Sequence, residues 1–229
     1  MEIAEKTNEI PVFQQLLKNL KIPNCIFTAD AMRLQKKTFE AAAANNQKLL
    51  IQLKDNQKAI EDDVEQIIKL GSPDELYEAP VEKGHGRIEF RKATVYQQGI
   101  EGHVLDEQWS QHIQTVVCID RRRQVKNTLT GLWNESAERA IYLSNTVLSA
   151  EYACKLVRGH WGIENKNHYV KDVSFHEDGH RIAKQPFNYA ILRSFALNFF
   201  RYNKFQNIKQ QRYAFSLDWT KLYDYPHMI

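Results

Sequence analysis

The side chains best suited to chemistry in this sequence lie between residues 158 and 172. If this stretch is helical, a rotation of about 100° per residue places His160, Glu164, His168 and Lys171 on one side. One carboxylate flanked by basic groups is a common arrangement in sites that hold a metal ion or a phosphate group. Spacing alone equally allows a solvated polar face on an ordinary amphipathic helix.

The apolar residues and the glycines of the same stretch predict which side of the helix is buried and how regular the helix is. Ile163, Val170 and Val173 fall roughly opposite the polar side and are predicted to face a core. Gly159 and Gly162 each cost about 1 kcal/mol in a helix interior. The sequence therefore predicts a helix whose first turn is irregular.

A second motif, His176-Glu-Asp-Gly-His180, satisfies the H-E-x-x-H pattern. In that pattern two histidines one helical turn apart bind zinc, and the glutamate activates water. The chemistry requires a helix through the motif, whereas Asp178-Gly179 is a turn-forming pair. Neither Glu151 nor His227 is a convincing third ligand. The sequence therefore argues against a zinc peptidase.

The upstream elements that would position a site predict an α/β fold. Residues 10–20 favour a helix, and Cys25-Ile-Phe-Thr-Ala29 favours a short buried strand. A helix over residues 33–46 and an apolar strand over residues 48–54 follow, and this order implies a parallel, right-handed crossover. Asp30 lies at the carboxyl end of the first strand, where ligands bind in open α/β sheets. Capping of the next helix is an equally good explanation for an aspartate there.

Residues 73–147 have a different character, with several predicted strands separated by polar or glycine-bearing loops. Arg121-Arg-Arg123 within this segment is a compact positive patch that could contact phosphate groups. A solvated loop is the simpler explanation of that patch. Gly84-His-Gly-Arg87 predicts an exposed turn, and its role stays open.

The composition limits the class of protein. The 229 residues are 43% hydrophobic, enough for a sizeable core in one domain or in a domain with an insertion. Cys25, Cys118 and Cys154 are odd in number and lack metal-ligand spacing, which favours a reducing cytosol. We expect neither a signal peptide nor a membrane span, since the longest apolar stretch, residues 190–200, is short and contains Arg193. The net charge of +3 permits a polyanionic partner without requiring one.

Together these features resemble the bacterial insertion-sequence transposases of the DDE type, in the branch that includes the H-repeat-associated proteins. The resemblance runs from Lys6 to about Arg201, and its strongest block is Arg158-Gly-His-Trp-Gly-Ile-Glu-Asn165. The other blocks that carry it are Lys6-Thr-Asn-Glu-Ile10, Asp30-Ala-Met32 with Gln35, Lys54-Asp-Asn-Gln57, Glu82-Lys-Gly-His-Gly-Arg-Ile-Glu89, and His168, Asp172-Val173, Phe175 and Glu177-Asp178.

This resemblance implies a partial RNase H-like catalytic core, an α/β fold with a β-rich insertion between the second and third catalytic acids. In the family, three carboxylates hold two divalent ions, Mg²⁺ or Mn²⁺, that act on a DNA phosphodiester bond. By position, Asp30 matches the second acid and Glu164 the third, so both are expected to be catalytic metal ligands. The resemblance also favours DNA contacts for Arg158, His160 and Lys171. Arg121, Arg122 and Arg123 of the positive patch are further predicted DNA contacts.

One departure from the family pattern concerns the strongest block. Val157 and His160 occupy the places of the tyrosine and the arginine in the Tyr-Arg-Glu-Lys signature of neighbouring transposase groups. The individual role of His160 therefore stays open.

The other departure is the first acid, which in the family lies on a strand upstream of the Lys6 block. Glu2, Glu5 and Glu9 match no such strand. We therefore expect a chain that lacks its N-terminal part and is inactive by itself. We also expect one edge of the strand ending at Ala29 to be unpaired.

The predicted function is thus DNA transposition of an insertion sequence, through two-metal phosphodiester hydrolysis and strand transfer. The alternative is a non-catalytic DNA-binding or regulatory fragment that interferes with a full-length transposase. The expected DNA partner carries the element's terminal inverted repeats. The expected protein partner is a second copy of the chain or a full-length transposase. We expect the protein in the cytoplasm and not bound to a membrane. The predicted segments are the first part of the core (1–72), the β-rich insertion (73–147), the helical end of the core (148–201) and a variable tail (202–229).

Overall fold

The computed structural model describes residues 9–84, 86–97, 105–182 and 184–225. The chain divides into two compact units, Met1–Arg158 and Gly159–Ile229, and each is described by itself. In the described ranges, no helix is both long and apolar enough to cross a bilayer.

A mixed sheet organises the first unit. In chain order the elements are α1 (Glu9–Asn19), β1 (Ile26–Ala29), α2 (Lys36–Ala43), β2 (Lys48–Leu53), α3 (Lys58–Leu70), β3 (Glu75–Glu78), β4 (Glu82–Gly84), β5 (Arg87–Tyr96), α4 (Glu107–Ser110), β6 (Thr115–Lys126), β7 (Trp133–Ser144) and α5 (Ala150–Ile163). The described strands pair in the order β1-β2-β7-β6-β5-β3, with β4 on β5. Short 3-10 turns, Ala31–Arg33 and Asp55–Gln57, follow β1 and β2.

Strands β1 and β2 are parallel and are connected through α2, as the sequence predicts. Their register runs from Ile26 opposite Lys48 to Ala29 opposite Ile51. Strand β1 is the last in the sheet order, so among the described residues only β2 pairs with it. The free edge expected from the sequence is therefore present in this part of the chain.

The β-rich segment continues the same sheet. Strand β7 pairs antiparallel with β2, with Leu143 opposite Ile51. Strand β6 pairs with both β5 and β7, and the β6–β7 hairpin extends from Thr115 opposite Ser144 to Lys126 opposite Trp133. The fold class predicted from the sequence, α/β with a β-rich segment after the first crossover, is confirmed.

Alternating side chains give the sheet two apolar faces, because successive residues of a strand point to opposite sides. On one face, Ile51 and Val116 pack with Phe39 of α2 and with neighbouring helices. On the other face, Val117 packs with Ala153 and other residues of α5. The start of β5, the end of β6 and the start of β7 are less buried and carry charged residues.

The second unit is helical. Its elements are a π-helical turn (Glu164–His168), α6 (Tyr169–Phe175), α7 (Pro186–Tyr202), α8 (Ile208–Leu217) and a 3-10 helix (Trp219–Asp224). Its core is mainly aromatic: Phe175, Phe200 and Phe215 are buried, and Phe205 and Tyr225 pack against them. In the tail segment 202–229 the sequence shows no pattern, but its described part, residues 202–225, contributes helix α8 and several core residues.

Helix α7 corrects one expectation. The sequence predicts that Ile191, Leu192, Phe195 and Phe199 form a stripe that packs in a core. Phe199 does pack against the core of the second unit. The side chains of Ile191, Leu192 and Phe195 are instead 49%, 62% and 57% exposed, and the buried residues of the helix are Leu197 and Phe200. An apolar stripe identifies a face of a helix, but it does not determine which element covers that face.

Candidate metal and DNA site

Asp30 lies directly after β1, as the sequence predicts. It occupies the N-cap position of the turn Ala31–Arg33, but its side chain makes no capping hydrogen bond. Its carboxylate, 47% exposed, instead pairs with the guanidinium group of Arg33, whose other nitrogen donates to Glu9 Oε2 at 2.8 Å. The Asp30 carboxylate therefore does not cap the turn that follows it, which was the alternative explanation for an aspartate at this position.

The position of Asp30 follows from the parallel pairing of β1 and β2. Carboxyl ends of parallel strands meet at one edge of a sheet, so the turns after the two strands are neighbours there. Asn56 in the second turn donates a hydrogen bond to the Ala31 carbonyl at 3.0 Å. At this edge of the sheet the Asp30 carboxylate is partly exposed, and the turn that carries it is held by a hydrogen bond from Asn56.

Glu164 lies in the second unit and begins the π-helical turn. The backbone N–H of Tyr169 donates to the Glu164 carbonyl, a bond that spans one residue more than in an α-helix. The Glu164 side chain is exposed. Single π turns within α-helices are frequent at functional sites.

The π turn corrects the helical alignment predicted from the sequence. A regular rotation of about 100° per residue does not hold through Glu164–His168, so the angular positions predicted for His168 and Lys171 from that rotation do not apply. The predicted irregularity at Gly159 and Gly162 is wrong, because both lie in regular α-helix. Ile163, predicted to face a core, is half-exposed.

Two side chains satisfy backbone carbonyls next to Glu164. Asn165 Nδ2 donates to the Trp161 carbonyl at 3.0 Å, and the guanidinium group of Arg201 donates to the Lys166 carbonyl inside the turn. A wider turn leaves carbonyls that the regular helical ladder would otherwise pair. These bonds therefore support the irregular backbone that carries the glutamate.

The H-E-x-x-H segment is not helical, as its Asp178-Gly179 pair predicts. His176 has a left-handed backbone (φ 52°), residues 177–179 form a turn, and His180 Nδ1 lies 2.9 Å from the guanidinium group of Arg193. Zinc binding by two histidines on one helix face requires a helix that is not formed here.

Arg121, Arg122 and Arg123 lie in strand β6, and the expectation of a loop carrying one compact patch is wrong. Alternation along the strand directs Arg121 and Arg123 to one face and Arg122 to the other. Arg121 pairs with Glu138 at 2.8 Å, whereas Arg122 is 54% exposed, contacts Glu135 at 3.6 Å and lies over the Phe90 ring. The Arg122 face borders a groove of about 660 Å³.

Arg158, at the end of the first unit, joins the network on the Arg121 face. Its guanidinium group donates to Glu82 of β4, and Glu82 also pairs with Arg91 at 3.2 Å. Arg91 in turn pairs with Glu89, which is 4% exposed.

Glu89 is the centre of this network, and sequence reasoning missed it. Its carboxylate contacts Arg91, Arg87 at 3.5 Å and Arg121 at 3.8 Å. The signal was available, because Arg87, Glu89 and Arg91 alternate along β5 and therefore share one face. The structure thus connects Arg121 and Arg158 within one unit through paired glutamates.

The two remaining predicted residues are in the second unit. His160 is half-buried near the end of α5, and Lys171 is half-buried in α6.

Burial and charge shift the pKa of several groups near the strands of the first unit. Burial raises the pKa of the Cys118 thiol to about 12, and burial likewise raises the pKa of Cys154. A hydrogen bond to Asp120 raises the pKa of Arg139. Burial therefore disfavours the thiolate form of both cysteines.

The two candidate acids suit Mg²⁺ or Mn²⁺ chemically, because both ions prefer hard oxygen ligands and retain bound water. Both carboxylates have solvent access. Within the described ranges, no group of three or more His, Cys, Asp or Glu side chains could hold a metal ion. Asp30 and Glu164 are thus each chemically suitable ligands for Mg²⁺ or Mn²⁺, but each supplies only part of the ligands that such an ion needs.

The α/β fold agrees with comparisons to known proteins. The transposase DDE domain family matches residues 1–199, and the chain belongs to this family. Its fold is accordingly that of an RNase H-like DDE transposase core.

Relatives of known name support the same family. The chain is 29% identical over 185 residues to "Putative protein YbfL" and to "H repeat-associated putative transposase YhhI" of Escherichia coli strain K12, covering 79% of this chain and 48% of each relative. It is 26% identical over 184 residues to "Putative transposase YncI" of Escherichia coli O157:H7, covering 78% of this chain and 46% of the relative. The chain thus spans about half the length of these curated relatives.

Proposed function

We propose that this chain acts in DNA transposition of an insertion sequence, with Asp30 and Glu164 as the second and third carboxylates of a Mg²⁺ or Mn²⁺ centre. Bound divalent ions at such a centre activate an oxygen nucleophile and stabilise the leaving oxygen of a DNA phosphodiester bond. The observation that supports the proposal most is the family match over residues 1–199, which includes both acids.

The structural settings of the two acids support these proposed roles. Asp30 offers a partly exposed carboxylate on a turn at the carboxyl edge of parallel strands, and Arg33 balances its charge. Glu164 offers an exposed carboxylate at the start of a π turn. Ion binding at Asp30 must compete with the Arg33 guanidinium group.

The basic residues are proposed to contact DNA phosphates. Arg122 is the most available of the three strand arginines, while Arg121 and Arg123 would act from the opposite face of β6. Arg158, which lies on the Arg121 face, together with His160 and Lys171, completes the proposed set. Because side chains alternate along β6, we propose that one DNA segment contacts either Arg122 or the pair Arg121 and Arg123.

We further propose that the 229-residue chain does not cleave DNA by itself, because no residue of the sequence matches the family's first acid. In this proposal the chain binds DNA of the element's terminal inverted repeats in the cytoplasm. Its protein partner is a second copy or a full-length transposase.

Calorimetric titration with Mn²⁺ tests the proposed acids. We expect weak binding that Asp30→Ala and Glu164→Ala each weaken further. Glu177→Ala is the control, since Glu177 follows α6 in a separate turn and should have a smaller effect. A loss in Glu177→Ala equal to that in Glu164→Ala would show that the wrong glutamate is assigned.

A cleavage assay tests the proposed lack of independent activity. The chain is incubated with duplex DNA carrying the element's ends and with Mn²⁺, and no nicked or joined product is expected. Cleavage that Glu164→Ala abolishes would overturn the proposed inactivity and support the assigned acid. DNA binding without any metal response would instead fit a regulatory fragment.

A further inference from the structure

Two side-chain amides tie the turn that follows β1 to the turn that follows β2. Asn56 Nδ2 donates to the Ala31 carbonyl at 3.0 Å, and Gln57 Nε2 donates to the Leu34 carbonyl at 3.1 Å. Ala31 and Leu34 are both buried. The two amides therefore hold both ends of the short segment between Asp30 and α2.

The held segment is the one that orients Asp30. Within it, the Arg33 N–H donates to the Asp30 carbonyl and the Leu34 N–H donates to the Ala31 carbonyl, both at 3.1 Å. The Ala31 carbonyl thus accepts two N–H groups, which uses both of its lone pairs. The Asp30 side chain makes no capping bond to this turn, and its ion-pair partner Arg33 is itself part of the turn, so the direction of the carboxylate depends on how firmly the turn backbone is fixed.

The opposite end of β2 has a chemically matched pair. Asn45 Nδ2 donates to the carbonyls of Leu17 and Lys18 at 3.2 and 2.9 Å. Gln47 Nε2 donates to the Leu20 carbonyl at 2.6 Å. Asn45 and Gln47, before β2, thus hold backbone carbonyls at the end of α1. Asn56 and Gln57, after β2, hold backbone carbonyls of the Asp30 turn in the same way.

We propose that Asn56 and Gln57 are positioning residues for Asp30, whose amides hold the turn so that the carboxylate faces a divalent cation. The inference rests on the proposed function for the identity of the cation. It goes further by assigning a role to two residues that lie outside the proposed ligand set. Loss of a hydrogen-bonded partner behind a metal ligand typically weakens affinity by about 10-fold or more.

The experiment compares Asn56→Ala and Gln57→Ala with Asn45→Ala in the full chain. The control variant also loses an asparagine that holds a backbone carbonyl, but at the other end of β2. The first measurement is hydrogen exchange of the Arg33 and Leu34 amides without metal. The second is Mn²⁺ affinity, with the unmodified chain and Asp30→Ala as references, and Asn56→Gln tests rescue because it keeps an N–H donor.

We expect faster exchange at Arg33 and Leu34 in Asn56→Ala and Gln57→Ala, and unchanged exchange there in Asn45→Ala. We also expect about 10-fold weaker Mn²⁺ binding in Asn56→Ala, partial recovery in Asn56→Gln and unchanged binding in Asn45→Ala. Unchanged exchange in both test variants would overturn the positioning role, whatever the metal titration gives.

The two proposals fail in different ways. If Asp30→Ala leaves Mn²⁺ binding unchanged, the metal role of Asp30 in the proposed function is wrong, and the functional part of this inference falls with it. If Asp30→Ala weakens binding while Asn56→Ala and Gln57→Ala do not, the proposed function stands and the positioning role alone is overturned.

Discussion

The guanidinium group of Arg33 forms an ion pair with the carboxylate of Asp30, the acid proposed as a metal ligand. The same guanidinium group contacts Glu9 and lies over the Phe13 ring, 5.5 Å from its centroid. Arg33 is therefore held independently of Asp30 and occupies one oxygen of that carboxylate. A divalent ion that binds Asp30 must compete with a cation already present.

Replacement of Arg33 by glutamine should strengthen Mn²⁺ binding. A partly exposed ion pair is worth about 0.2–1 kcal/mol, so the expected gain in affinity is up to ~5-fold. Arg33→Lys, which keeps the positive charge, is the control and should give a smaller gain. Calorimetric titration measures both, and weaker binding in Arg33→Gln would mean that Arg33 orients Asp30 and does not compete for it.

Replacement of Glu89 by glutamine should destabilise the first unit by about 3 kcal/mol, because the change removes the buried carboxylate that pairs with Arg91 and leaves that arginine with only the more exposed Glu82. Urea denaturation gives the free energy of unfolding. Glu138→Gln is the matched control: Glu138 pairs with the same Arg121 but is 48% exposed, so its loss should cost less than about 1 kcal/mol. Equal costs for the two variants would show that the Glu89 network contributes little to stability.

Replacement of Arg158 by glutamine should weaken duplex DNA binding and reduce its salt dependence. Each phosphate contact contributes nearly one unit to the slope of log affinity against log salt, so the slope should fall by about 1. Lys155→Gln is the control, because Lys155 is exposed on the same helix and pairs with Glu151 at 2.7 Å. Binding isotherms at several salt concentrations measure the slopes, and identical slopes in all three proteins would exclude Arg158 as a phosphate contact.

Cys118 should make the first unit sensitive to alkaline pH. Burial raises the pKa of its thiol from 9.0 to about 12, so the unfolded chain releases this proton at lower pH than the folded chain. The contribution to stability is therefore complete below pH 9.0 and is lost as the pH rises to about 12.

The free energy of unfolding of Cys118→Ala should fall less steeply over this alkaline range than that of the unmodified chain. Measurement of each protein at neutral pH separates this effect from the cost of removing buried volume. Parallel pH profiles would contradict the assigned burial of the thiol.

The strand–helix–strand unit and the place of Asp30 could be predicted from the sequence because both depend on local patterns. A short apolar run bounded by Asn24 and Asp30 defines β1, and the alternating charges of Arg87, Glu89 and Arg91 define faces of β5. The turn at Asp178-Gly179 was likewise evident from residue types alone.

Other features depend on which distant elements meet, and the tertiary structure alone decided them. Arg121 and Arg122 have opposite surroundings because strand pairing brings Glu138 and Phe90 to different faces of β6. The Glu164 backbone departs from a regular helix where Arg201, distant in sequence, binds a carbonyl of the turn.

The sequence by itself thus determined the family, the parallel crossover and the identity of the candidate acids, since residue type and spacing act along the chain. The tertiary structure decided what each charged group contacts. Arg33 reaches Glu9, Asn56 reaches Ala31, and Arg158 reaches Glu82 only after the helices and strands have packed. The physical reason is that a hydrogen bond or ion pair requires two groups within about 3–4 Å, and folding brings residues far apart in sequence to that distance.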